Sequence, residues 1–303
     1  MSVSVTTTFV GQPPEKLYGD LVFGAESITK GIIEVIEDKR HKVPLNRFIT
    51  SSGNVVAPQD VPSTSVNAST HSEVLITTGE LELFDLFSPS DFNDSWRFLN
   101  SSGGSADVEF APAILEAIMP NYINSFNTDL ETILWQGDTG GAEPVKRFNG
   151  YLVTADADGT VNDLTPAGAI TAANIIAILN GMVNTLPAVV KGKTQPFIVL
   201  NHTDFWLYSE ALSALDVKGT DYNQSGFTTF RGFRLVPVSG IPAGRIMFTH
   251  SGNLKMSTWM EQDYNFVNIG RFAPAARDWF IKLTAECGVN YLFGKEMALY
   301  VTA

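Results

Sequence analysis

The chain has 303 residues and 44% hydrophobic content, enough for one large domain or two smaller ones with an ordinary core, which excludes a disordered protein. Its 32 acidic against 20 basic residues leave a formal charge of -12, which disfavours a dedicated duplex-DNA binder, since those neutralise phosphates with clustered Lys and Arg, and leaves any nucleic-acid contact local. The lone Cys287 rules out an intramolecular disulfide or a cysteine-built metal cluster within one chain and fits a reducing compartment.

Residues 1 to about 20 hold Gly11, Pro13, Pro14 and Gly19 among polar residues and read as an arm without a core of its own. The start has neither a basic n-region nor a continuous apolar stretch, and no run approaches about 18 uncharged apolar residues, so a soluble chain without signal peptide or membrane span is expected. Ser27 to Lys39 follows helical spacing through Ile28, Ile32, Ile33, Val35 and Ile36, with Lys39-Arg40-His41-Lys42 at its C-terminal end and Gly31 as a weak point. From Val43 to Ser88 alternation in Asn46–Thr50 and Glu73–Thr77 predicts two strands joined by a long polar loop. A loop of that length is unusual inside a compact domain, so either it is disordered or it finds its partner on another chain.

Ala111 and Pro112 open a long helix whose apolar stripe runs through Ile114, Leu115, Ile118, Tyr122, Phe126, Leu130, Ile133 and Leu134. Pro120 should kink or divide it, and Gly137 should stop it. Tyr151-Leu152-Val153 then reads as a strand, Thr171 to Leu186 as a helix, Phe197 to Leu200 as a buried strand and Thr203 to Leu215 as a helix capped by Asn201 or Thr203. Strands follow at Phe233–Val238, Arg245–Thr249, Leu254–Met260, Tyr264–Ile269, Trp279–Glu286 and Met297–Thr302. No internal repeat at solenoid periods is present.

Few motifs invite chemistry. Gly137-Asp138-Thr139-Gly140-Gly141 is close to the Gly-Asp-Ser-Gly-Gly around the chymotrypsin-type nucleophile, but that mechanism needs a histidine base and a buried aspartate in an all-β fold. With only His41, His71, His202 and His250 available, and a helix just before it, the motif reads as a helix-terminating turn. The run Asp156-Ala157-Asp158-Gly159-Thr160-Val161-Asn162-Asp163 carries oxygen ligands at alternate positions, as a calcium loop does, yet the glycine falls at the fourth place and no Glu closes the loop, so a hairpin turn at Asp158-Gly159 is expected. The basic cluster Lys39-Arg40-His41-Lys42 with Arg47 suits a phosphate backbone, an acidic neighbour or a solvated helix end. Asp204, Tyr208 and Glu210 should scatter around their helix, with Trp206 in the core.

The order of elements, the helix exit Ile133-Leu134-Trp135-Gln136-Gly137-Asp138 with Pro144 and Asn149-Gly150-Tyr151-Leu152, the strand Gln195–Asn201, the segment Arg231–Val238 and the closing runs Leu283–Val289 and Glu296–Tyr300 resemble the major capsid proteins of tailed bacteriophages. The resemblance spans nearly the whole chain and implies an α+β, Hong-Kong-97-type fold with an N-terminal arm, an extended β-hairpin loop, a long spine helix, a peripheral domain and an α/β axial domain. It implies arm and short helix over 1–42, the hairpin loop over 43–88, the peripheral domain with spine helix over 89–150, the axial domain over 151–250 and return strands over 251–303.

The function so implied is a shell subunit that self-assembles into an icosahedral head around double-stranded DNA, in the virion and built in the host cytoplasm. Partners would be copies of itself as hexamers and pentamers, portal, scaffolding or decoration proteins, and packaged DNA as a non-specific contact; no membrane, cofactor, metal or catalytic residue is expected. Candidate contacts between subunits are Lys39, Arg40, Lys42, Arg47, Phe48, Val55, Val56, Val74 and Ile76. The alternatives are an encapsulin-like compartment around a cargo enzyme and a hydrolase using Thr139.

Overall fold

The computed structural model describes residues 24–37, 41–50, 69–87, 112–164, 168–193, 195–214, 228–259, 267–272 and 278–302. The expected arm over residues 1–20 and the candidates Lys39, Arg40, Val55 and Val56 lie outside these residues. The N-terminal part supplies helix α1 (Glu26–Thr29), strand β1 (Glu34–Ile36), the paired strands β2 (Lys42–Thr50) and β3 (Ser69–Thr77), strand β4 (Gly79–Phe87) and the long helix α2 (Pro112–Gln136). The middle holds α3 (Tyr151–Ala157), β5 (Asn162–Leu164), α4 (Ile175–Thr185), α5 (Ala188–Lys191), β6 (Pro196–Leu200), α6 (His202–Ser213), β7 (Thr229–Phe230), β8 (Phe233–Pro237) and β9 (Arg245–His250). The chain returns through β10 (Leu254–Trp259), β11 (Val267–Arg271), β12 (Trp279–Tyr291) and β13 (Ala298–Val301).

A six-stranded sheet is ordered β5-β13-β9-β6-β8-β7. Its central strands are buried on both faces, and the period of two sorts their side chains into two cores. Ile198, Leu200, Ile246, Phe248, Ala298 and Tyr300 pack under α4 and α6 with Ile175, Leu179, Met182 and Tyr208. Phe197, Val199, Met247 and Leu299 face the other way, into the core that contains α2. The registers Ile198↔Phe248 and Ala298↔Phe248 keep one set together, and Val199↔Met247 and Leu299↔Met247 the other.

The second sheet is built around the 13-residue β12. One edge of β12 pairs antiparallel with β4 from Trp279↔Phe87 to Cys287↔Gly79; on the other edge lie β10 and β11, with β1 added parallel to β10. Its inner face, including Leu81, Phe87, Ile269, Ile281 and Leu283, packs in one core with Met119, Phe126, Leu130, Ile133, Leu134 and Trp135 of α2. Spacings of three, four or seven among Met119, Phe126, Leu130, Ile133 and Leu134 align them on one side, with Trp135 beside them at the helix end. Among the described residues no helix is long and apolar enough to cross a membrane.

Several sequence expectations change. The helix expected over Ser27–Lys39 shrinks to α1, because Gly31 turns the chain with φ +69 and the β-branched residues beyond it add to β10 as β1. Tyr151-Leu152-Val153 begins a helix, not a strand: α3 buries Tyr151 and Leu152 in the α2 core, and a short apolar run has no periodicity to decide between the two. The Asp158-Gly159 turn therefore joins a helix to β5 and is not a hairpin. Pro120 lies on the exposed side of α2, which runs unbroken from Pro112 to Gln136.

Candidate assembly surface

The β2–β3 ribbon presents two faces, as alternation requires. Val43, Leu45 and Ile76 form a small buried cluster with Ile36, Val74 and Leu292 packed against it. The opposite face carries Pro44, Asn46, Phe48, His71, Glu73 and Leu75, all exposed, with Phe48 at 66%. Ile49 lies on the covered side but near the far end, where nothing described covers it fully and it is half-exposed. Ile76 is 0% exposed inside its own subunit, so its candidacy as a contact is corrected: cross-strand parity turns it inward opposite Val43.

The ribbon is fastened at its root. The Glu286 carboxylate accepts the His41 N–H at 3.1 Å and the Thr78 hydroxyl at 2.5 Å, and Asn290 donates to the Leu75 carbonyl at 2.8 Å. His41 sits at φ 63, a left-handed turn that redirects the chain into β2, while its carbonyl accepts the Thr78 N–H at 2.9 Å. A Cβ on Gly288 would stand 2.5 Å from the Thr77 carbonyl, so only glycine lets β12 pass this close. Arg47 is half-buried with its guanidinium 5.8 Å from the Phe293 ring, while Lys42 is exposed and Val74 half-buried.

A second apolar area covers the outer face of the β12 sheet. Phe84 and Leu86 of β4 are about half-exposed, Phe84 stacks on Phe280 with centroids 6.0 Å apart, and Phe272 beyond β11 is mostly exposed. Gly270 lies opposite Phe280 in the register, and a Cβ there would come within 3.2 Å of that ring. Along β4 the same face continues as Glu82, paired with Lys282 at 2.7 Å, and Glu80. Helix α6 adds an isolated exposed aromatic: Trp206, expected in the core, is 69% exposed, whereas Asp204 and Tyr208 are buried. On one helix those positions cannot share a side, and Asp204 earns the inner place by accepting the Gly244 N–H at 2.9 Å.

The Gly137–Gly150 junction is a closed loop rather than a catalytic site. Gly137 donates to the Ile133 carbonyl at 2.8 Å, Asp138 to Val145 at 3.0 Å and Gly150 to Gly137 at 2.8 Å. A Cβ on Gly137 would stand 2.3 Å from the Phe148 carbonyl, and one on Gly150 2.7 Å from Trp135. Both the N–H and the hydroxyl of Thr139 donate to Asn149 Oδ1 at 2.9 Å. The described histidine side-chain contacts lie elsewhere, His41 beside Glu286, His202 on Glu26 and His250 on Glu296. Asp156 pairs with Arg245 at 2.7 Å and Asp158 accepts the Thr160 N–H and the Tyr291 hydroxyl, and no metal-holding group of three or more His, Cys, Asp or Glu occurs among the described residues.

Phe48 was readable from its place in an alternating polar segment; Ile49, Leu75, Phe84, Leu86 and Phe272 were not singled out. Only the sheet pairing puts the last three on an open face. No family model matches the sequence, and no curated relative matches it. The architecture is similar to the satellite phage P4 procapsid at 11% identity and TM-score 0.65, over 98% of this chain and 93% of that one. It is similar to the capsid of a native GTA particle at 13% identity and TM-score 0.59, over 100% and 95%. It is also similar to a virus-like particle from Pyrococcus furiosus at 12% identity and TM-score 0.52, over 94% and 98%. The α+β chain described above has the Hong-Kong-97-type capsid fold.

Proposed function

We propose that this protein is the structural subunit of a tailed-phage head shell, a non-enzymatic protein of the virion whose partners are above all copies of itself. The observation that carries the reading is the placement of its two apolar surfaces, together with whole-length likeness to assembled capsids. Strands β3 and β4 follow one edge of β12 in succession, with Leu75 beside Asn290 and Phe87 opposite Trp279. Phe48 and Leu75 of the two-stranded ribbon and Phe84 and Leu86 of the β12 sheet all stay exposed in the single subunit, so neither patch covers the other there. Contacts between unlike patches on identical chains propagate head to tail, and close into rings where the rotation between neighbours closes.

Residues 1–42 then hold the arm and short helix, and within 43–88 the β2–β3 ribbon lies over a neighbour, with Lys42, Arg47, Phe48 and Val74 its described contact candidates, while β4 stays paired with β12 of its own subunit. Residues 89–150 make the peripheral domain, 151–250 the axial domain, and 251–303 the strands returning between them. The negative net charge of -12 suits a container wall that must not bind packaged DNA tightly. Portal, scaffolding and decoration proteins are further partners on this reading, and assembly takes place in the host cytoplasm. The likeness to a virus-like particle favours one second reading, a compartment around a protein cargo.

Negative-stain electron microscopy of the purified chain tests the proposal: closed particles of uniform size are expected, and a monodisperse monomer under all assembly conditions would refute it. Nucleic acid inside the particles supports the phage head, and a co-purified enzyme inside them supports the compartment.

A further inference from the structure

The chain carries two Asn-Gly dipeptides, Asn149-Gly150 in the closed junction after α2 and Asn180-Gly181 inside α4. Such a pair is chemically labile, because glycine shields its own backbone nitrogen least and turns most freely towards the preceding side chain. The nitrogen attacks the asparagine amide carbon: the N–Cγ bond forms, the Cγ–Nδ2 bond breaks and ammonia leaves with the proton from the nitrogen. Water then opens the resulting imide ring to aspartate or isoaspartate.

Around Asn149 each group that must move is held. The attacking nitrogen, that of Gly150, donates its proton to the Gly137 carbonyl at 2.8 Å. Gly150 is buried where a Cβ would stand 2.7 Å from both the Trp135 carbonyl oxygen and the Gly137 nitrogen. Its own carbonyl is fixed as well, accepting the Thr154 N–H at 3.1 Å and the Thr154 hydroxyl at 2.9 Å as α3 begins. The Asn149 side chain is exposed, yet its Oδ1 is gripped by both donors of Thr139. Two donors on an amide oxygen also polarise its carbon, as in an oxyanion hole, but that helps only once a nucleophile is aimed at Cγ, and here the Gly150 proton points to Gly137. Holding therefore outweighs activation. We propose that Asn149 is a latent deamidation site, kept intact by the folded junction with Thr139 as its guard and modified when the junction opens. Isoaspartate carries the main chain through one extra carbon, a shift that the tight packing of Gly150 against Trp135 and Gly137 does not accommodate, so the change once made holds the junction open. The inference concerns the single subunit and does not rest on what the subunit builds.

Peptide mapping by mass spectrometry of the full-length chain, incubated at mildly alkaline pH, tests it, because deamidation changes the mass of the peptide. In the wild type Asn149 should be modified at least about tenfold more slowly when the chain is folded than in urea. Thr139→Ala removes one of the two bonds on Oδ1 and should speed modification of the folded chain severalfold, up to about tenfold at the usual worth of one hydrogen bond. Thr139→Ser keeps a hydroxyl and should restore the wild-type rate. Asn180, on a helix of the other core, is the internal control and should keep its rate in Thr139→Ala. Modification of Asn149 as fast in the folded wild type as in urea would overturn the proposal. So would an unchanged or slower rate in Thr139→Ala, or an equal acceleration at Asn180, which would mean a general loosening of the chain.

Discussion

Replacing Phe48 by alanine separates a surface that serves assembly from one that serves folding, and Ile76→Ala is its counterpart five rungs along the same ribbon. Phe48 is 66% exposed in the single subunit. A phenylalanine offers roughly 200 Å², so about 130 Å² remains for a neighbour to cover, worth about 3 kcal/mol per contact at about 25 cal/mol per Å². That is about a hundredfold in the association constant for each contact. Phe48→Ala should therefore leave urea unfolding of the subunit within about 1 kcal/mol of wild type, since little of the ring is buried in it, yet raise the critical concentration for particle formation by about a hundredfold. Ile76→Ala should do the reverse, costing about 2 to 5 kcal/mol of subunit stability, because the cavity opens beside Val43 and Leu45. Light scattering against concentration, with a urea curve on each variant, measures both quantities. Particles forming from Phe48→Ala at the wild-type concentration would refute the reasoning, whatever the urea curves showed.

Other expectations are local. Gly240→Ala should destabilise by at least about 1 to 3 kcal/mol, because the new Cβ would stand 2.3 Å from the Glu131 carbonyl and 2.4 Å from the Trp135 ring; an unchanged melting temperature would contradict that packing. Burial tends to raise the Glu26 carboxyl, but hydrogen bonds from Lys30, Ser239 and His202 outweigh it and hold the group at about 2 against an ordinary 4.5. Its depressed value means the stabilisation is complete above the unfolded value near 4.5 and is lost as pH falls towards about 2, so Glu26→Gln should narrow the stability gap to wild type across that window, as urea curves at successive pH would register. Burial likewise pushes the Cys287 thiol up to about 12, and a thiol reagent at neutral pH should label it only as the chain unfolds; labelling of the native subunit would contradict its enclosure. Thr139→Ala should leave particle assembly intact, since it removes one exposed hydrogen bond to Asn149 and no base is aimed at the hydroxyl.

Much of the fold was legible because its signals are local. The apolar stripe of α2, the stop at Gly137, the runs at β6 and β9 and the Asn201 cap, whose side chain accepts the Thr203 N–H at 2.8 Å, all follow from residues within a few positions of one another. The candidate surface was legible only in part. Alternation along β2 and β3 announced two faces, but which face is covered depends on Leu292 and Ile36, and so Ile76 and Phe48 were indistinguishable by pattern. Strand β4 shows the same limit, for Phe84 and Leu86 become a surface feature only through pairing with β12, almost 200 positions later.

The amino-acid sequence by itself determined where the long helix α2, helix α6 and strands β6 and β9 form, because periodicity, glycine placement and capping act at short range. Tertiary structure alone decided what each surface meets. Tyr151 turned helical against Trp135, and Trp206 faced outward so that Asp204 and Tyr208 could face inward. Glu131, a charge that any local reading of an amphipathic helix would leave in water, became buried because Ser27, 104 positions away, brings it the donors that make burial tolerable.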